Sequence, residues 1–598
     1  MATEEEYRAA ESLEEYLGDP LNPDNTFSFK NSMELDEAEK YPEESCRLLH
    51  QWGVSLYYVP VEYGGRLKSF EEMFFITRVL SRRDLTAAIA MGQVYLGAID
   101  VWIDGSTAQR RVVADLIKSG KQLAFALTEK AHGSDVLASD CQAVKVENGY
   151  LLSGEKWLIN NGTRAAALTV FARTSPRQDQ GEFSVFLVRK TILDDSSYSH
   201  MRKIRTHGIR GADISGIRFH EALMPGDALI GSKGGGLETA LKGLMITRTL
   251  CAGFSLGALD TALRLTIRFS LERKLYGGVA YDIPHVRSVL INSFLDLLAC
   301  ECLAMSVTRG IHSATGQLSV CAAAVKYLVP TIAEEAIRNL AVILGARYYL
   351  REEFVWGIFQ KVLRDSAVVS LFDGNTVINL NVISGQLRSL ANFGTEALLD
   401  NRAEIENRLE AVFSLEESLP SFDPSKLRLS NQGRNDVMQG LEISLNAIDD
   451  FSNESGVNQQ VLETIKVYVG RLIAEINNLY AKILNHSDGS EGAPSQSLAM
   501  TEFSKRYCLL HAAAACVHMW VYSRNKWMMT DFFSTGGWLL LWLRKTVSPS
   551  SDENSLPATS SDKAAQEMLR QYNGDLLFST LRFQLAKAGA SADLQQKR

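Results

Sequence analysis

FALTEKAHGSD, residues 125–135, marks the point at which the chain changes period. Upstream, residues 1–120 read as helical: in EEMFFITRVLSRRDLTAAIAMGQVYLGAIDVWI (71–103) apolar positions recur at helical spacing. Downstream, GYLLSGEKWLI (149–159), ALTVFART (167–174) and FSVFLVRK (183–190) are short, rich in branched and aromatic residues, and separated by turn formers. That pattern predicts strands. IRFHEALMPGDALIG (217–231) closes this β-unit, with a boundary expected at the Pro225-Gly226-Asp227 turn. From about 235 to 395 long helical patterns return with few prolines. Helices, then strands, then helices is an α+β plan with segregated layers, not a doubly wound fold.

The totals agree with several domains. A chain of 598 residues suggests about four structural units at roughly 150 residues each. The expected division is a helical domain over 1–120, a β-domain over 121–230, a helical bundle over 231–398 and an extra helical domain over 399–598. A net charge of −8 argues against a nucleic-acid binder, which needs clustered Lys and Arg. The opening MATEEEYRAA carries carboxylates where a leader would be basic, and the eight cysteines are scattered without a C-x-x-C pair. Both features point to a reduced, cytoplasmic setting. GGWLLLWL (536–543) falls far short of the ~20 residues that span a bilayer, so no transmembrane segment is expected. Three stretches of the last block, 419–436, 485–497 and 547–562, are rich in Ser, Asp, Gly or Pro and are expected to bury poorly. His511 and His518 lie on an apolar helical stretch and read as satisfied core histidines; no Cys/His group has the sequence spacing of a metal site.

Four segments stand in a fixed order: VPVEYGG (59–65), FALTEKAHGSD (125–135), GEKWLINNG (154–162) and ERKLYGG (272–278). Together they resemble the acyl-CoA dehydrogenases, whose pattern runs VPEEYGG, LTEPGAGSD, GxKxWITN and ERKxFG. The resemblance covers about residues 40–395, and it implies FAD as cofactor. It assigns Phe125, Leu127, Thr128, Gly133, Ser134, Ile159 and Asn160 to the flavin, with Ser134 also near substrate. A glycine at 133 allows close approach to the main chain, and Thr128 and Ser134 carry hydroxyl donors. Arg273 falls where the family supplies a guanidinium to the FAD pyrophosphate of a neighbouring subunit, which implies at least a homodimer. Read without the resemblance, 125–135 is a polar turn entering a β-domain, and Arg273 is a charge on a surface helix.

The departures are specific. The family aromatic of the third segment is displaced: Leu158 holds its place and Trp157 precedes it, and a leucine cannot stack on a flavin as an aromatic would. The family's Gln-x-x-Gly-Gly reads VILGA (342–346), its His-Gln pair reads Ile283-Pro284, and its Thr after the catalytic glycine is Asn375, which the resemblance still assigns to the cofactor.

KVLRDSAVVSLFDGNTVINL (361–380) resembles the family's KxMRDAxxxxIYEGTxQIQ, and counting from Arg364 places Asp373 at the catalytic Glu. There a carboxylate removes the substrate α-proton while the β-hydride passes to flavin N5. Arg248 and Gly374 go with it as substrate contacts. The seat used by relatives with the base on the earlier helix holds Thr247, so Asp373 is the candidate. An Asp-Gly pair alone would read as a turn or cap. The implied activity is α,β-dehydrogenation of an acyl-CoA or carrier-protein-bound acyl group, with electron-transfer flavoprotein or oxygen as acceptor. Two alternatives stay open: an oxidase of the same fold, acting on acyl-CoA or, since those relatives also carry Asp at the base, on nitroalkanes; and a non-catalytic scaffold.

Overall fold

The computed structural model describes residues 2–175, 181–353, 355–394, 397–451, 458–486, 497–526, 528–547 and 558–587. Contacts sort the chain into two units. A bundle unit takes Met1–Asp19, Ser69–Arg82 and Arg248–Ala590; a sheet unit takes, among the described residues, Pro20–Lys68 and Arg83–Thr247. The helix Gly236–Glu272 contributes to both, changing units between Thr247 and Arg248.

In the sheet unit the expected strands form. They are β1 (Leu123–Ala126), β2 (Gln142–Val146), β3 (Gly149–Asn160), β4 (Ala167–Arg173), β5 (Phe183–Arg189), β6 (Tyr198–Met201), β7 (Ile214–Met224) and β8 (Leu229–Ile230). Their order is β6-β7-β3-β2-β4-β5-β8, with β1 parallel to β4. The sheet ends at β8, which pairs with β5 beyond the Pro225-Gly226-Asp227 turn expected to close it. Six of the seven residues in each of β4 and β5 are buried, which is why these strands read as unbroken apolar runs. The long β3–β7 pair slips register twice, at Leu152/Gly154 and at Trp157/Ile159. Gly154 is required at the first slip: φ is +129°, and a Cβ there would stand 2.7 Å from Cys141 Cα.

One carboxylate of this unit has no partner among the described residues. Asp100, in the helix Ile99–Asp104, is fully buried, and neither of its oxygens is hydrogen-bonded. Burial, with a smaller push from Asp104, raises its pKa from 3.8 to about 7. The unfolded chain therefore releases this proton near pH 4 and the folded chain near pH 7. Stability present below pH 4 is lost as pH rises to about 7, a difference of roughly 4 kcal/mol at most. Asp100→Asn should raise the melting temperature at pH 8 and much less at pH 4. Melting curves of both proteins across that range check this, and an equal shift at both ends would contradict it.

The bundle unit is built on the helices Pro284–Ser313, Leu318–Leu344, Ile358–Ser366 and Thr376–Phe393, together with the helix Gly236–Glu272 from Arg248 onward. The last 200 residues add Ala397–Phe413, Leu441–Asp450, Gln459–Asn485, Leu498–Ser523, Gly537–Val547 and Ala558–Asn573. Leu498–Ser523 packs on both Pro284–Ser313 and Thr376–Phe393, so the added helices share the bundle's core. His518 is satisfied there, by Ser444 Oγ at 2.7 Å and Val437 O at 2.8 Å. His511 is buried, but its Nδ1 has no partner among the described residues.

The 419–436 stretch departs from expectation. Leu427, Asn431 and Asn435 are buried, because the polar side chains satisfy main-chain and hydroxyl groups: Asn431 Oδ1 accepts from Val320 N at 3.1 Å, and Asn435 Nδ2 donates to Tyr507 Oη at 2.5 Å. Most of the other two polar stretches, 487–496 and 548–557, lies outside the described residues. Length and composition also hide something that the short apolar run at 536–543 does not reveal. Three stretches, Leu85–Asp104, Gly236–Glu272 and Pro284–Ser313, are apolar enough to cross a membrane, yet their most apolar windows are 94%, 94% and 78% buried within the protein. Their apolar surface is matched by other side chains.

Candidate functional site

The residues assigned by resemblance divide between the units. The sheet unit carries Phe125 to Ser134 together with Ile159 and Asn160; the bundle unit carries Arg248, Arg273, Asp373, Gly374 and Asn375.

In the sheet unit the loop after β1 is fixed from beneath by a buried ion pair that the sequence motifs did not single out. Lys156 Nζ lies 2.7 Å from Glu129 Oε1 and donates to Leu127 O at 2.9 Å, and both side chains are buried. Glu129 also accepts from Asp140 N (2.7 Å) and Cys141 N (3.1 Å). Burial disfavours its charge, but the Lys156 ammonium and these amides outweigh that and hold the carboxyl below its usual range. Trp157 N donates to Thr128 O at 2.9 Å, tying β3 to the same loop. So anchored, Phe125 and Ile159 are buried, Leu127, Thr128 and Asn160 are half-buried, and Gly133 and Ser134 are exposed. Nothing lies within 4 Å of a Cβ built on Gly133, so a ligand can reach the main chain there. Leu158 is the extra residue of the second register slip, with φ +58° and 41% exposure. A bulge therefore accompanies the displaced aromatic. Glu129, His132 and Asp140 also bring carboxylate and ring atoms within 4.8 Å of one another, but Glu129 is already engaged by Lys156 and two amides.

In the bundle unit Arg273 is not helical. It lies between the end of the helix at Glu272 and a hairpin of β9 (Lys274–Leu275) and β10 (Gly278–Val279). Tyr276 and Gly277 turn the hairpin with φ of +54° and +83°, and Tyr276 is 95% exposed. Arg273 is exposed, and its guanidinium makes no hydrogen bond or ion pair among the described residues.

Asp373 is half-buried with φ +54°, a left-handed backbone that aspartate adopts in tight Asp-Gly turns. Two buried cations hold it. Arg248 Nε donates to Asp373 O at 2.7 Å, and Lys326 Nζ donates to Phe372 O at 2.7 Å and to Val369 O. Burial lowers the pKa of both cations, and the nearby Asp373 carboxylate opposes it. Gly374 follows at φ +86°, and a Cβ there would stand 2.7 Å from Arg248 Nη2, so the guanidinium lies where any side chain would be. Arg248 and Gly374, both assigned to substrate by the resemblance, thus also shape the turn at Asp373. Asn375 acts on the backbone. Its Oδ1 accepts from Ile378 N at 3.0 Å and caps the helix Thr376–Phe393.

The sheet unit thus offers an exposed loop with open main chain and a hydroxyl, and the bundle unit a carboxylate held by two cations and an exposed arginine. Family models agree along the chain: the acyl-CoA dehydrogenase N-terminal domain matches residues 3–121, the middle domain 124–222 and the C-terminal domain 234–387. The chain belongs to the acyl-CoA dehydrogenase family, an FAD-dependent family of oxidoreductases. The probable acyl-CoA dehydrogenase FadE25 of Mycobacterium tuberculosis is 26% identical over 358 residues, 60% of this chain and 90% of that protein. The cyclohex-1-ene-1-carbonyl-CoA dehydrogenase of Syntrophus aciditrophicus is 25% identical, over 60% of this chain and 85% of its own length. Butyryl-CoA dehydrogenase from Megasphaera elsdenii shares the fold, with TM-score 0.58 and 23% identity over 64% of this chain and 98% of its own. The prolyl acyl carrier protein oxidase AnaB does so at TM-score 0.58 and 19% identity, over 64% and 98%. The three family models end at residue 387.

Proposed function

We propose that this protein dehydrogenates an acyl thioester between Cα and Cβ, with Asp373 as the base. The observation that carries the reading is the hold on the Asp373 turn: two buried cations fasten it, Arg248 at Asp373 O and Lys326 at Phe372 O, where an ordinary surface Asp-Gly turn needs neither. The Asp373 carboxylate takes the α-proton, the Cβ–H electron pair leaves as hydride, and the C=C bond forms. FAD supplies the hydride acceptor when bound. Thr128, Gly133, Ser134 and Asn160 would hold it by hydroxyl, main chain and amide, with Phe125, Leu127 and Ile159 beside them. The uncommitted Arg273 would serve its pyrophosphate in a homodimer, and Asn375 would contribute from the start of the helix Thr376–Phe393. Arg248, Gly374 and Ser134 would meet the substrate.

The substrate is an acyl-CoA or a carrier-protein-bound acyl group, and the acceptor is electron-transfer flavoprotein or oxygen. A cytoplasmic setting and domain limits near 120, 230 and 398 belong to the same proposal. Asp373, one methylene shorter than Glu, supports a second reading as an oxidase of this fold, including one acting on nitroalkanes.

The purified protein should be yellow. Under anaerobic conditions an acyl-CoA from a series of butyryl-, octanoyl- and palmitoyl-CoA should bleach it, and nitroethane should not. Bleaching by nitroethane alone would favour the oxidase reading, and a colourless protein that takes up no added FAD would overturn both.

A further inference from the structure

The structure places a second group on the base. Cys251, in the helix Gly236–Glu272, is buried, and its Sγ lies 3.8 Å from Asp373 Oδ2. We infer that Cys251 is a positioning residue whose S–H donates to Asp373 Oδ2 and fixes the orientation of the carboxylate. This rests on the reading of Asp373 as the base.

Three features of the surroundings support it. Arg248 and Lys326 fasten the main chain on either side of the Asp373 peptide, at Asp373 O and Phe372 O. Those contacts set the backbone, and a contact to Oδ2 restricts rotation about the Cα–Cβ and Cβ–Cγ bonds of the aspartate. Next, the thiol remains a donor. Burial raises its pKa, and the Asp373 charge adds to that against the opposing pull of Lys326. A thiolate would repel the carboxylate; a thiol donates to it. Finally, Cys251 lies one helical turn beyond Arg248, since residues three apart share a helix face. One face of one helix thus serves both the carbonyl and the carboxylate of Asp373. The charged and titratable groups around the pair are Arg248 on the same helix, and Lys326 and Glu334 on Leu318–Leu344.

An aspartate with one methylene fewer than glutamate depends more on such a contact. Its reach is fixed closer to the main chain, so an error in carboxylate rotation moves the accepting oxygen away from the α-carbon with no further torsion to correct it. Misplacement near ~1 Å is enough to cost a hundredfold.

Cys251→Val tests this, because it fills the place of the sulfur with methyl groups and removes the donor. The readout is the anaerobic rate of flavin reduction by the best acyl-CoA of the series, measured across pH. Loss of a weak donor to an anion should slow reduction roughly 3- to 10-fold. The acid limb of the profile should also move to higher pH, since the carboxylate loses a group that favours its charged form. Cys251→Ser, whose hydroxyl donates at least as well, should return the limb to the parent position. A rate that falls equally in both variants with the limb unmoved would mean packing alone and would overturn the inference. So would a Val variant identical to the parent. Asp373→Asn, run beside them, separates the levels: an inactive Asn variant with an unaffected Val variant defeats only the role of Cys251. An active Asn variant defeats the base and this inference together.

Discussion

Asp373→Asn should keep its fold and its FAD and lose flavin reduction by a factor of at least 10²–10⁴, the usual contribution of a general base. The amide is nearly isosteric, and the contacts that hold position 373 reach its carbonyl and that of Phe372, which the substitution leaves in place. Fold and backbone therefore persist. What is lost is the proton acceptor: without it, hydride departure from Cβ would build an unstabilised cation. Asp373→Glu is the complementary measurement. The left-handed φ of +54° and the Arg248 guanidinium packed on Gly374 fix where the Cβ points, so a longer side chain would carry the carboxylate ~1.5 Å onward and past the Cys251 contact. Reduction should slow in the Glu variant as well. Full activity in Glu would mean that the site accepts either length. Full activity in Asn would remove Asp373 from the mechanism.

The parts of this arrangement legible in the sequence were those written by neighbours in the chain. FALTEKAHGSD, GEKWLINNG, ERKLYGG and the Arg364–Asp373 spacing each sit within twenty residues, and the strands show as apolar runs because β4 and β5 are buried along nearly all of their length. What was illegible depends on long-range partners. Nothing near residue 251 says that its thiol meets a carboxylate 122 positions later, nor does anything near Lys326 announce that it lies on the carbonyls of 369 and 372. Asp100 reads as an ordinary helix carboxylate in GAIDVWID, and only burial makes it costly. Leu158 and Trp157 read as a displaced aromatic; the bulge that accompanies them is a property of pairing with β7, not of the local letters. The polar 419–436 stretch was expected to stay exposed, because composition counts donors and acceptors and cannot show where they find one another.

The same limit applies to the chain's end, and it yields the largest expected effect on stability. Removing residues 574–598 should prevent accumulation of soluble, cooperatively folding protein. Residues 576–583, LLFSTLRF, run through the interior of the bundle unit. Glu301, fully buried on Pro284–Ser313, pairs with Arg78 and accepts from Thr580 N at 2.8 Å, Thr580 Oγ1 at 2.6 Å and Ser579 Oγ at 2.7 Å. Arg78 in turn donates to Phe578 O at 2.6 Å. Asp260 accepts from Phe578 N at 3.0 Å and from Arg82 Nε at 2.6 Å. Burial opposes the Asp260 charge, yet the surrounding arginines outweigh it and hold its carboxyl at about 2. Two buried carboxylates are thus satisfied partly by a segment that follows the last helix. Truncation would leave both short of donors in a site no longer closed to water. Hydrogen bonds to charged groups contribute about 1.5–3 kcal/mol each, so losing several approaches the 5–15 kcal/mol by which proteins are stable at all. A milder variant keeps the argument measurable if the truncated chain never folds. Thr580→Val with Ser579→Ala removes only two hydroxyl donors from Glu301, and it should lower the melting temperature by several degrees while FAD stays bound. A truncated protein that melts with the parent would show that Glu301 and Asp260 find other partners, and that the tail does not hold the bundle together.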